Sequence, residues 1–217
     1  MTHNLKRKKI FPTLVIHSTD NSFGFGYRKN NDSRSDQIFI KQFNEDLCNN
    51  LIIDFQKFIS KENLQKVNKI SVSIGPANFN ASRLIVVLAR TISQQINCPL
   101  ESFSSFEIMA KRIALKNNIF IDQQSYWIYK KLKRKGFIAG KYEVYNDEQE
   151  KADLAVREIV SPKVIEELDP RELFLEANYE DKEDLRELLN LSNKNLLNAN
   201  RNSWEKVLPL YPISPIN

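Results

Sequence analysis

The spacing of the apolar residues changes between residues 22 and 60, and this change requires a fold that contains both strands and helices. Over residues 22–28, Phe23, Phe25 and Tyr27 alternate with glycines, which is the period-two pattern of a β-strand with room for a close neighbour on its other face. Over residues 44–60 the apolar side chains instead recur every three or four positions, as they do on one face of a helix. The sequence therefore predicts an α/β fold.

The rest of the first half continues this mixture of strands and helices. A short β-branched run over residues 69–74 ends at Gly75-Pro76, and apolar residues at helical spacing follow over residues 81–96. Ser104 and Glu107 have the spacing of a capping box, which predicts a helix that continues to about residue 115. Two more strands are predicted at residues 11–18 and 37–43.

The second half is less regular but carries the same two kinds of pattern. Its predicted strands span residues 118–123, 125–133, 137–145 and 154–160, and the middle two form a hairpin. A polar helix is expected over residues 181–198, and the proline-rich tail from residue 204 to residue 217 should be extended.

Charge and cysteine content exclude several classes of protein. The 32 Lys and Arg residues exceed the 27 Asp and Glu residues by 5, a mildly basic balance that fits a polyanionic partner without requiring one. Cys48 and Cys98 by themselves are too few for a disulfide framework or a four-ligand zinc site. The longest apolar run, residues 84–89, is much shorter than the roughly 20 residues of a membrane span. We expect a cytoplasmic protein without membrane association.

The residues offer no catalytic or metal-binding pattern. The two histidines, His3 and His17, are too far apart for the one-turn spacing with which a helix presents two imidazoles to a metal. No G-x-S-x-G sequence marks a nucleophilic serine, and a buried structural thiol is the preferred interpretation of each cysteine. We therefore expect no catalytic residues, no bound metal and no cofactor.

The segment that follows the strand at residues 69–74 permits two interpretations. Gly75, Pro76, Asn78, Phe79 and Asn80 lead into a helix, and a helix N-terminus with unpaired N–H groups can hold a phosphate. The same residues also fit an ordinary strand-to-helix connection with Asn80 as the helix cap.

The literal sequence of this segment, GPANFNASR over residues 75–83, resembles the G-P-G-S-F-T-G-x-R motif of the TsaB (YeaZ) family. Residues 104–107, the Arg134-Lys135-Gly136 turn and the Pro209-to-Tyr211 tail are also similar to the family's sequences. This resemblance implies an actin-like fold of two related α/β lobes with a degenerate nucleotide site. The lobes are expected at residues 1–115 and 116–217. His17 stands where catalytic relatives carry an aspartate, so the phosphate-side acid is absent or displaced to Asp20.

The resemblance also implies a function. TsaB proteins are non-catalytic partners of a related TsaD-type transferase, and together with a TsaE-type ATPase they support threonylcarbamoyl transfer to the adenosine beside the tRNA anticodon. The first two helices of the N-terminal lobe make most of the TsaD contact. We therefore expect a scaffold or dimerisation subunit that meets tRNA through the complex, with a homodimer as the alternative when it is isolated.

The two helices carry apolar residues outside their predicted core stripes, as helices that dock a partner do. On the second helix the predicted core stripe contains Ala81, Leu84, Ile85, Leu88 and Ile92. The residues predicted to bind the partner are Ile52, Ile53, Arg83, Val86, Val87 and Arg90.

A basic run at the predicted hairpin is a second candidate surface. Its candidate RNA contacts are Lys131, Lys133, Arg134 and Lys135, with Tyr126, Trp127 and Tyr129 nearby as stacking surfaces. The alternative is a solvated hairpin whose aromatic side chains face the core. Two other functions therefore stay open, an independent RNA-binding module and a small actin-fold phosphotransferase that uses residues 75–80.

Overall fold

Five strands form the first sheet of the computed structural model, which describes residues 12–30, 32–43, 47–119, 125–132, 136–146, 154–194 and 203–211. They are β1 (Thr13–Ser18), β2 (Ser22–Arg28), β3 (Gln37–Gln42), β4 (Lys69–Ser73) and β5 (Leu100–Phe103). Their order is β3-β2-β1-β4-β5. The β1–β2 and β2–β3 pairs are antiparallel, whereas β4 is parallel to both β1 and β5.

Helices cover both faces of this sheet. The described helices are α1 (Leu47–Phe58), α2 (Lys61–Gln65), α3 (Phe79–Ile96), α4 (Ser105–Lys116) and α5 (Asp181–Lys194). Side chains of α1 and α3 share one core cluster with Leu14 and Ile16 of β1, while Val15 points to the opposite face and packs with leucines of α5. Because β1, β2 and β4 are enclosed from both sides, every residue in them is buried.

The second sheet has four strands, β6 (Ser125–Lys131), β7 (Phe137–Asn146), β8 (Leu154–Ile165) and β9 (Phe174–Glu176), in the order β8-β7-β6-β9. β6 and β7 form the predicted antiparallel hairpin, and β9 pairs in parallel with β6. Helix α4 packs on one face, where Phe106 and Met109 join Tyr126 and Tyr142 in a second core.

Helices α4 and α5 connect the two sheets. Ile108 of α4 packs with Leu185 and Leu188 of α5 in the cluster beneath the first sheet, whereas the opposite side of α4 faces the second sheet. The Arg112 guanidinium lies 2.7 Å from Asp184 of α5. Residues on each side of the predicted boundary at 115/116 thus pack together, and the division into lobes at that position stays a prediction.

Several local predictions are confirmed, and one strand is wrong in part. Ser104 caps α4 and its hydroxyl accepts from the Glu107 N–H at 3.0 Å, as a capping box requires. The strand expected over residues 118–123 does not begin at Asn118, because this residue has φ +55° and Ile119 is in a helical turn. Residues 120–123 lie outside the described part of the chain. The three-residue strand β9 and the short helix α2 were not predicted. The tail, expected to be extended from residue 204, instead begins with a 3-10 turn at Trp204–Lys206.

Candidate functional site

The connection between β4 and α3 begins at a glycine that its backbone requires. Gly75 has φ +100°, a conformation that residues with a Cβ rarely adopt. The helix cap was assigned wrongly, because Asn78, and not Asn80, accepts from the Ala81 N–H at 3.2 Å. Asn80 is already inside the helix, since the helix begins one residue earlier, at Phe79.

Hydrogen bonds within the protein occupy much of this connection. The carbonyls of Ile74, Gly75 and Pro76 accept from the Leu210 N–H, the Ser105 N–H and the Tyr179 hydroxyl. The N–H groups of Asn78, Ala81 and Ser82 donate to Thr19, Asn78 Oδ1 and the Asn78 carbonyl. A phosphate at this helix start would have to use N–H groups other than these. The connection therefore serves first as a junction that ties β1, α4, the tail and the start of α5 to one another.

A cleft of about 620 Å³ opens beside this junction. Its walls come from the β1–β2 turn, the start of α3, the β6–β7 hairpin and the tail, and they include Asp20, Phe79, Lys130 and Tyr211. Lys130 forms an ion pair with Asp20 across the cleft and lies 5.6 Å from the Tyr179 ring centre. Because Asp20 is paired in this way, its carboxylate is not placed as a free phosphate-side acid.

His17 is a core residue. It lies in β1 with both ring nitrogens buried, and neither nitrogen has a hydrogen-bond partner among the described residues. Burial lowers the pKa of His17, and the carboxylates of Asp184 and Asp181 act in the opposite direction. The side chain at this position is therefore a buried imidazole and not a carboxylate.

The outward faces of α1 and α3 expose apolar side chains. Ile52 and Ile53 are 55% and 48% exposed, and Val87 is 59% exposed. Helix α1 is held to β3 by an ion pair of 2.7 Å between Lys41 and Asp54, and its Phe55 ring packs 5.3 Å from Phe25. These two isoleucines and Val87 therefore project from firmly packed helices.

Val86 is the one proposed partner contact that the structure contradicts. It is only 1% exposed and belongs to the core beneath α3. The buried face of α3 is rotated from the predicted stripe by about 70°, taking roughly 100° per residue. It includes Ser82 and Ser93, whose small side chains fit close to the sheet, so apolar spacing alone misplaced the face.

The two arginines of α3 both stack on aromatic rings. Arg83 lies 5.4 Å from the centre of the Phe79 ring, and Arg90 lies 5.4 Å from that of Trp204 in the tail. Phe79 itself contacts the Tyr211 ring, with centres 5.5 Å apart. The tail contacts were not predicted from the sequence, although two aromatic residues in a short proline-rich tail were a usable signal.

The basic hairpin is only partly within the described residues. Lys131 is exposed at the end of β6, whereas Lys133, Arg134 and Lys135 lie outside the described part of the chain. Tyr126 is buried in the second core. Trp127 and Tyr129 are on the other face, half-buried, where Trp127 stacks 5.6 Å from Phe174. The expectation that the aromatic side chains face the core is thus correct for Tyr126 alone.

A buried polar network lies between α4 and the second sheet. The Tyr142 hydroxyl is 2.9 Å from the Ser104 hydroxyl and donates to Glu158 at 3.2 Å. Burial, together with repulsion from Glu158, raises the pKa of Glu107 to about 7, although a hydrogen bond from the Ser104 backbone opposes this shift. The network lies inside the protein, so we assign it a structural role.

The last candidate groups are the Cys98 thiol and the side chains that could bind a metal. Burial raises the pKa of the free Cys98 thiol to about 12, which is the opposite of an activated nucleophile. Within the described ranges, His, Cys, Asp and Glu side chains form no group of three or more that could hold a metal. Each helix in that same part of the chain is too short or too polar to cross a membrane.

Comparison with known proteins identifies the fold. No family model matches the chain, and no curated protein matches its sequence. A Pseudomonas aeruginosa protein described as uncharacterized with similarity to the peptidase YeaZ has a TM-score of 0.69 and 12% identity, covering 94% of this chain and 100% of its own. YeaZ from Pseudomonas aeruginosa has a TM-score of 0.68 and 13% identity, covering 93% and 100%. The chain therefore has the two-sheet α/β fold of YeaZ, as the actin-like fold class predicted.

Proposed function

We propose that this chain is a non-catalytic subunit of the tRNA threonylcarbamoyladenosine machinery that docks on a TsaD-type transferase through α1 and α3. The observation that carries the proposal is the exposure of Ile52, Ile53 and Val87 on two helices whose opposite faces are fully packed. Exposed aliphatic side chains on a rigid surface favour association with another protein.

The geometry of the cleft supports the non-catalytic part of the proposal. Asp20 is paired with Lys130, His17 is buried, and the N–H groups of Asn78, Ala81 and Ser82 are bonded within the protein. Phosphoryl transfer needs free groups that stabilise the developing charge, usually with a cation. A TsaE-type ATPase and the tRNA would then meet this subunit only within the complex.

Replacement of Val87 by Glu tests the docking surface. We expect Val87→Glu to abolish capture of the purified TsaD-type subunit from the same organism, because an unpaired carboxylate would be buried in the interface. Its melting temperature should stay close to that of the unchanged protein. Gln95→Glu, at an exposed position on the same helix, is the matched control and should bind normally. A stable Val87→Glu variant that binds normally would refute this docking surface.

An activity assay tests the absence of catalysis separately. The isolated chain should hydrolyse no ATP above the rate measured with heat-denatured protein. Magnesium-dependent turnover that disappears in an Asp20→Asn variant would contradict the proposal and favour the phosphotransferase.

A further inference from the structure

The tail runs along α3 in the opposite direction and is fixed there. Trp204 lies beside Arg90 in the second half of the helix, and Tyr211 lies beside Phe79 at its start. Between these two contacts, Val207 is 4% exposed and belongs to the first core. The Leu210 N–H also donates to the Ile74 carbonyl at 2.8 Å. The segment Ser203–Tyr211 therefore packs against α3 and the core of the first sheet.

This fixed segment exposes large apolar side chains. Leu208 is 58% exposed although its neighbour Val207 is buried, and Tyr211 is 45% exposed. Phe79, which touches Tyr211, is also exposed. The water-exposed part of each of these side chains contributes little to folding. Through the Phe79–Tyr211 contact, this apolar surface continues from the start of α3 onto the tail.

Charge indicates what kind of molecule this surface accepts. Arg83 and Arg90 stack on Phe79 and Trp204, and neither arginine forms an ion pair within the described part of the chain. A guanidinium that is already oriented by an aromatic ring can bind a carboxylate through two parallel hydrogen bonds. Leu208 and Val87 offer aliphatic groups, which favour protein side chains over stacked bases.

We propose that the tail and α3 form one composite docking surface, and that it accepts a protein surface that combines apolar side chains with carboxylates. This proposal rests on the proposed function, because it extends the same site and the same TsaD-type partner. In the composite surface, Leu208 and Tyr211 contact apolar side chains of the partner, while Arg83 and Arg90 receive its carboxylates.

The test measures binding of the full chain to the purified TsaD-type subunit by calorimetry at low and high salt. We expect Leu208→Glu to weaken binding at least tenfold, with a melting temperature like that of the unchanged protein. Tyr211→Ser removes a second exposed contact and should also weaken binding. This variant tests the same surface if Leu208→Glu proves unstable. Ile159→Glu, at an exposed apolar position on β8, is the matched control and should bind normally. Arg83→Gln should reduce the salt dependence of binding.

The outcomes separate this inference from the proposed function. If Val87→Glu loses binding while stable Leu208→Glu and Tyr211→Ser variants bind normally, the composite surface is refuted and the docking on α1 and α3 stands. If all three variants bind normally, both proposals fail. If the Arg83→Gln change weakens binding of tRNA but leaves binding of the TsaD-type subunit unchanged, the surface is a nucleic-acid site and the composite protein interface is refuted.

Discussion

The two sheets of this protein are covered differently. The first sheet has α1 and α3 on one face and α5 on the other, and the residues of its three central strands are all buried. The second sheet has α4 on one face, and its other face carries aromatic side chains that pack half-buried against one another. From Ser125 to Tyr129, strand β6 accordingly alternates between half-buried and buried residues.

This difference separates the sources of stability from the surfaces for interaction. Around the first sheet, apolar contacts hold helices whose outward faces remain available for binding. At the second sheet, the contact with α4 includes the Ser104, Tyr142 and Glu158 hydrogen bonds beside Glu107. We therefore expect the first region to respond mainly to steric and apolar changes, and the second to respond more strongly to pH.

The largest expected effect comes from charging the core beneath α3. Val86→Glu should lower the free energy of unfolding by several kcal/mol, because a carboxylate would be buried without a partner. At the next residue, Val87→Glu should change the free energy of unfolding by only about half a kcal/mol. Urea denaturation of both variants measures the difference. Equal stability of the two would mean that the buried face of α3 is assigned wrongly.

The next effect concerns Glu107 at the second sheet. Its pKa is raised from 4.5 to about 7, so the folded protein binds more protons than the unfolded chain between these values. Stability should therefore fall as the pH rises through this window, by about 3 kcal/mol in total for a shift of this size. Glu107→Gln should remove this loss of stability, so the variant should be more stable than the unchanged protein at pH 8.

Denaturation at pH 4.5 and pH 8 measures this prediction. Glu176→Gln is the control, since Glu176 is exposed on β9 and its replacement should leave the pH dependence unchanged. An unaltered pH profile for Glu107→Gln would show that the Glu107 carboxyl does not cause the pH dependence of stability.

A smaller steric effect is expected where α5 approaches the first sheet. A Cβ added at Gly24 would lie 2.6 Å from Leu185 Cδ1 and 2.7 Å from the Phe39 carbonyl oxygen. Gly24→Ala should destabilise the protein by about 2 kcal/mol, as overpacking of a core does. Gly26→Ala meets only side chains, at 2.7 Å or more, and should be tolerated better. Thermal melting compares the two, and equal melting temperatures would contradict the close packing of α5.

The smallest expected effect is the response of His17 to acid. Burial lowers its pKa below 6.5, so the unfolded chain binds more protons than the folded protein in acid. The contribution of His17 is fully present above pH 6.5 and is lost as the pH falls below it, opposite in direction to that of Glu107. His17→Leu should make stability less sensitive to acid between pH 6.5 and pH 5. A variant with an unchanged acid profile would exclude His17 as a titrating group of the first region.

Local sequence signals determined much of the fold. The alternation of Phe23, Phe25 and Tyr27 predicted β2 with the bounds that the structure has, and the predicted end of α3 at Ile96 is also correct. The capping box at Ser104 and the β6–β7 hairpin are confirmed as well. These features depend on residues that are close in the chain, so periodicity and turn chemistry suffice to predict them.

Only the tertiary structure decided which of these surfaces is buried. Val86 and Val87 are chemically identical, and the sheet beneath α3 buries one while the other remains exposed. The pairing of Lys130 with Asp20, the strand β9 beside β6, and the return of the tail to Phe79 each join residues distant in the chain. Spacing within one segment reports the conformation of that segment, whereas burial depends on which other segments pack against it.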